Sequence, residues 1–159
     1  MSITKLNNLS ISAITALPSG VGGKVLQAIT ATDTTERGTT STSFVTGSNT
    51  LSVSITPSST SNKILVITNA TILADNRAYY TIYRASTNLG DSTYGFVEFY
   101  PGDSTNYIIS SCSMSVLDSP SSTSALTYQV YFRDASGSGQ SYLNYRGIKG
   151  TITCLEIAG

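Results

Sequence analysis

From Leu51 to Thr56 the chain reads Leu-Ser-Val-Ser-Ile-Thr, apolar and hydroxyl side chains in strict alternation. A period of two places successive side chains on opposite faces of an extended strand, so the pattern predicts half-buried β-strands whose outer face carries hydroxyls. Strand-like runs of this kind fall near 24–32, 42–46, 50–56, 63–73, 78–86, 93–100, 106–117, 124–134, 140–147 and 150–158, with no helix predicted between them. Turn residues separate them at the spacing of a sandwich or barrel. Thr46-Gly47-Ser48-Asn49 and Asn88-Leu89-Gly90-Asp91 are expected as hairpin turns, Ser136 to Gly139 as a looser tip, and the stretches at Pro57 and Pro120 as longer loops.

The same parity assigns faces. Leu126, Tyr128, Val130 and Phe132 share one side of their strand and are expected in the core, with Thr127, Gln129, Tyr131 and Arg133 opposite. Lys63 to Ile67 and Ile152 to Ile157 are apolar on both sides, which predicts a central strand covered twice or a face buried between subunits. Residues 1–23 differ from the rest: Ile3, Leu6, Leu9, Ile11, Ile14 and Leu17 fit neither a helix nor a strand, and the segment closes on a Gly-rich joint at Gly20, Gly22 and Gly23. An apolar arm is costly to leave in water. It is expected to dock, on a partner or across its own sheet, leaving residues 24–159 as one β-domain.

Composition narrows the chemistry. Ser and Thr supply roughly three residues in ten, there is no His and no Trp, and only 11% of side chains are charged, in exact balance. The missing His removes the usual general acid–base group and the commonest metal ligand. Without a basic excess there is no electrostatic footprint for nucleic acid or an anionic bilayer, and no stretch is apolar for long enough to span a membrane. Cys112 and Cys154 lie in apolar alternating runs and read as buried thiols; a disulfide between neighbouring strands is the alternative. Lys24, Lys63 and Lys149 sit in no Ser-x-x-Lys setting, and Asp91, Glu98 and Asp103 offer only a weak carboxylate pairing. No catalytic residue, metal ligand or cofactor is expected.

The aromatics carry more. Tyr79, Tyr83, Tyr94 and Tyr100, with Arg84 beside them and Tyr142 and Tyr145 later in the chain, form a candidate interface or glycan platform, against which stands the reading that most of them fill a core or a subunit seam. Arg77, Arg84, Arg133 and Arg146 each lie near a Tyr or Phe in sequence, which suits stacked cation–aromatic pairs.

Three stretches, Leu51 to Val66, Asp118 to Tyr128 and Thr151 to Ala158, with the opening Thr4 to Asn8, resemble a β-rich domain of virion proteins from tailed bacteriophages, especially marine and cyanobacterial ones labelled tail-fibre-like. The resemblance implies an exterior virion component made in the host cytoplasm and transfers no catalytic residue. The expectation is therefore an antiparallel β-sandwich of jelly-roll type, a homotrimer or another small homo-oligomer fixed to phage capsid or tail proteins by its N-terminal arm. A capsid decoration or knob is favoured over a short tail fibre or adhesin because no shaft is present. A carbohydrate-binding module that recognises a host-surface glycan is the reading from a different class, and a groove lined by three or more exposed aromatics would distinguish it.

Overall fold

The computed structural model describes residues 24–102 and 106–159. The expected arm, with Ile3, Leu6, Leu9, Ile11, Ile14 and Leu17, lies outside the described residues. Eleven strands follow one another: β1 (Val25–Asp33), β2 (Arg37–Thr39), β3 (Ser52–Ile55), β4 (Lys63–Ala74), β5 (Ala78–Arg84), β6 (Thr87–Asn88), β7 (Val97–Phe99), β8 (Ile108–Asp118), β9 (Leu126–Asp134), β10 (Ser141–Leu143) and β11 (Gly150–Ile157). Every pairing is antiparallel, in one sheet of six strands and one of five. The expected all-β sandwich is what forms.

Several strands are pieces of longer ones. β10 and β11 run end to end along one edge of β4, opposite Ala74 to Ile72 and then Asn69 to Lys63, while β1 and β2 continue along their far side. β8 takes the other edge of β4. In the second sheet, β6 and β7 lie end to end against β5, and β9 pairs with β5 on one side and β3 on the other. With interrupted strands counted as one, the first sheet holds strands one, eight, three and six, and the second holds two, seven, four and five.

Parity builds the core. Ile64, Val66, Ala70 and Ile72 from β4, Cys112 and Met114 from β8, and Ile152 and Cys154 from β11 face Val53, Ile55, Tyr80, Ile82, Tyr128, Val130 and Phe132 from the other sheet. Tyr80 stacks on Phe132 with centroids 5.9 Å apart, and its hydroxyl donates to the Tyr142 carbonyl of the opposite sheet at 2.8 Å. Cys112 and Cys154 are free and buried, each opposite an aliphatic residue of β4, and burial pushes both thiols up to about 12. The thiol reading holds and the disulfide alternative does not.

The structure corrects several local expectations. β2 was not anticipated, and the run at 42–46 shrinks to one bridge between Val45 and Phe132. Residues 46–49 do turn, with Gly47 at φ 55° and the Asn49 amide bonded to the Thr46 carbonyl at 3.1 Å, yet the residues on both sides pair with the same edge of β9. The turn interrupts a strand instead of reversing it. The hairpin expected at 88–91 sits earlier, at Ala85 and Ser86, where Ala85 adopts φ 50° and donates its amide to the Thr127 carbonyl at 2.8 Å. The run at 93–100 contributes only β7, and the one at 140–147 ends in a 3-10 turn at Tyr145–Gly147.

Candidate interaction surfaces

Two outward faces can meet a partner, one per sheet. On the second sheet, register sets Tyr79 between Arg133 and Glu98, and Tyr83 opposite Gln129. Arg133 reaches across this face: its guanidinium carbon lies 4.4 Å from the Tyr79 ring centre and 5.4 Å from that of Phe44, while its Nη2 donates to the Thr93 carbonyl at 2.6 Å and its Nη1 to that of Thr42 at 3.0 Å. Tyr94 meets Tyr79 edge-on at 5.7 Å, and Tyr83 stacks on Tyr131 at 4.0 Å. At the margin Arg77 covers Tyr100 at 4.3 Å and pairs with Glu98 at 3.0 Å.

A loop from Asn88 to Phe96 roofs the middle of this face. The Thr81 hydroxyl donates to Asn88 Oδ1 at 2.6 Å, and the Phe96 amide donates to the Tyr80 carbonyl at 2.9 Å. Gly95 makes the approach feasible: its φ is +67°, and a Cβ there would sit 2.5 Å from the Tyr80 carbonyl oxygen. Thr81 is therefore fully buried although it points away from the core. Asp91 supports the same loop, its Oδ1 accepting the Tyr94 and Thr93 amides at 2.7 and 2.8 Å, and these donors hold its carboxyl below the usual range.

The expected platform residues thus divide. Tyr79, Tyr83, Tyr94 and Tyr100 come together on the second sheet; Tyr142 and Tyr145 lie on the first, where they meet edge-on at 5.7 Å with Arg146 stacked on Tyr145. Arg84 belongs to neither surface. Sharing parity with Tyr80 and Ile82, it points between the sheets, where its Nη1 donates to both oxygens of Asp118 at 2.7 Å. The Tyr128 hydroxyl donates to the same carboxylate at 2.6 Å, and burial with that bond raises its pKa. Phe44 and Tyr131 join the cluster unpredicted; the outward parity of Tyr131 with Arg133 was the signal for the latter.

For a sugar the arrangement leaves little. Tyr79 is 3% exposed, guanidinium groups lie over Tyr79 and Tyr100, and Phe44, Tyr83 and Tyr131 are half-buried, so Tyr94 at 54% and Tyr100 at 47% are the exposed aromatics of this face. Nor does a catalytic pair assemble here: Glu98 is held by Arg77, Asp91 by backbone amides, and Asp103 lies outside the described residues. Among the described residues there is no group of three or more Cys, Asp or Glu arranged to hold a metal, and no helix long and apolar enough to cross a membrane.

The first sheet is different. Its outward face begins with a transverse apolar row, Ala28, Leu155, Leu65 and Leu117, each opposite the next across the ladder. Ile67, Ile157 and Val25 extend it, and Leu117 remains 52%, Val25 50% and Ile67 44% exposed. Beyond this strip the middle of the face is hydroxyl and amide, where Thr30 bonds Thr153 at 2.9 Å and Asn69 donates to Ser113 at 2.7 Å, before Leu73, Ile109 and Tyr142 follow at the far end. Both strands that the sequence marked as apolar on two sides, β4 and β11, lie side by side under the strip. Lys24, where residues 1–23 join the domain, bonds Ala158 at the same end of the sheet at 2.9 Å.

No protein-family model matches the sequence, and no curated protein matches it. Among solved structures the chain is similar to a mutant VP2 protein of infectious bursal disease virus from derived T=1 particles, with 12% identity and a TM-score of 0.32, over 84% of this chain and 37% of that one. A superposition this loose carries no argument about fold or role.

Proposed function

We propose that this chain is a non-enzymatic structural protein of a tailed-bacteriophage particle, displayed on its surface as a capsid decoration or knob, self-associated as a homotrimer and attached through residues 1–23. The observation that carries the reading is the apolar strip of Ala28, Leu155, Leu65 and Leu117 on the open face of the first sheet, at the end where residues 1–23 join. Contiguous apolar surface of this kind marks a contact site. The interleaved strand order supports the jelly-roll expectation, an architecture that capsid and lectin domains share, though fold alone assigns no role. Hydroxyl ladders beyond the strip give an uncharged, hydrated exterior suited to display. Cryo-electron microscopy of particles carrying a tagged copy tests the proposal. Density for the tag on the head is expected; density on the tail transfers the reading to a short fibre or adhesin, and its absence from particles overturns both. A glycan-binding role draws on the exposed Tyr94 and Tyr100, and saturable binding of host-surface glycan lost in Tyr94→Ala would favour it.

A further inference from the structure

We propose that the end of the sandwich where the β4–β5 turn meets the β9–β10 loop is a calcium site, with the carboxylates of Asp75 and Asp134 as its protein ligands. Asp134 ends β9 and is fully buried. Its Oδ1 accepts three bonds, from the Ser136 amide at 2.8 Å, the Ser136 hydroxyl at 3.1 Å and the Gly137 amide at 2.7 Å. Its Oδ2 is buried and has no partner among the described residues. A buried carboxylate oxygen left bare is strongly unfavourable, so this position favours a donor or a cation from outside the chain.

The half-buried Asp75 faces the same place. A Cβ on Gly139 would lie 2.5 Å from Asn76 Cβ, 2.7 Å from Asp75 Oδ1 and 2.9 Å from Asp134 Oδ2, so the two carboxylate oxygens come close together beside a glycine that no larger residue could replace. Asp75 Oδ1 also accepts the Gln140 amide, which ties the turn to the loop. No cation among the described residues compensates the pair. Arg77 turns to Glu98 and Tyr100, Arg133 reaches only the main-chain carbonyl of Asp134, and neither carboxylate joins an ion pair among the described residues.

Two hard carboxylates without a nitrogen or sulfur ligand select an alkaline-earth ion. Calcium fits better than magnesium, because it tolerates irregular oxygen sets completed by water, whereas magnesium demands a near-ideal octahedron. With only two carboxylates the affinity belongs to the weak extracellular class, roughly 10⁻⁴–10⁻³ M. This site stands independently of the particle reading.

The full chain, stripped with a chelator and melted in calcium, magnesium or sodium chloride at matched ionic strength, tests it. Calcium at about ten times its Kd should raise the melting midpoint by about 3 °C, magnesium less and sodium not at all. Titration calorimetry should show millimolar binding weakened at least tenfold in Asp75→Asn and in Asp134→Asn, and unchanged in Glu98→Gln. If Asp134→Asn does not fold, the half-buried Asp75→Asn carries the comparison. The proposal fails if calcium leaves the wild-type midpoint unmoved, if the shift survives in Asp75→Asn, or if acidification alone raises the midpoint as a proton shared by the two carboxylates would.

Discussion

Single residues decide where this hydroxyl-rich chain tolerates charge inside. Glu156 is 1% exposed and projects inward from β11, where burial pushes its carboxyl upward but is outweighed by donors: Asn62, Gln27, and the amide and hydroxyl of Ser58. The net result is a carboxyl lowered to about 2 from 4.5. A folded-state value below the unfolded one stabilises the protein above the unfolded value and is lost as pH falls through the folded one. Denaturant unfolding should therefore lose about 3 kcal/mol between pH 4.5 and 2 from this group, and Glu156→Gln should remove that part of the acid dependence while costing about 2 kcal/mol at neutral pH. An unchanged acid profile in the variant would show that the donors do not favour the carboxylate. The thiols make the opposite case. Cys112→Ala or Cys154→Ala should cost about 1–2 kcal/mol in packing, equally with and without reductant, and a reductant-sensitive wild-type melt would contradict the free thiols.

Elements were legible where the strand-forming run is long and hidden where other strands fix the backbone. β4, β8, β9 and β11 appear within a residue or two of their expected bounds, because each is a run of eight or more strand-forming residues bounded by turn residues. The interrupted strands are different. Thr46 to Asn49 has the side chains of a hairpin turn, but the next residues return to the same edge of β9, a long-range pairing that local sequence does not record. Ala85 takes a left-handed conformation without a residue that favours it, held by the Thr127 carbonyl. The aromatic cluster was half legible for the same reason: parity put Tyr79 and Tyr83 on one face, whereas Arg84 was placed outside although it shares the inward parity of Ile82. The roof over Thr81 depends on Gly95. Gly95→Ala combines a left-handed backbone with a 2.5 Å approach to a main-chain oxygen and should cost about 2–4 kcal/mol, with amide exchange accelerated first across residues 89–96. Uniform acceleration throughout the domain would indicate that the roof is not a separate unit.

At the scale of the molecule the open question is what covers the first sheet. Its inward side closes on the second sheet, so the apolar residues of β4 and β11 that point outward, Leu65, Ile67, Leu155 and Ile157, find no third layer among the described residues. Burying one such leucine stabilises an assembly by about 1.5–3 kcal/mol, and a transverse row of them lets several copies contribute together. Charge does not oppose the approach, since Lys63 is the one charged side chain that shares the outward parity of the row on β4, β8 and β11. Light scattering on the purified chain should therefore report a discrete small oligomer, three copies by the proposed reading. Leu65→Asp and Leu117→Asp point away from the core, so the monomeric sandwich should keep its fold and β signal while the oligomer dissociates, because each would bury an unpaired carboxylate at the seam. Deleting residues 1–20 separates the two covers. If the truncated chain stays folded and oligomeric, the strip is a seam between copies; if it is folded but monomeric, residues 1–20 complete the seam. A wild-type chain that is monomeric at micromolar concentration, and indifferent to Leu117→Asp, would refute self-association through this face.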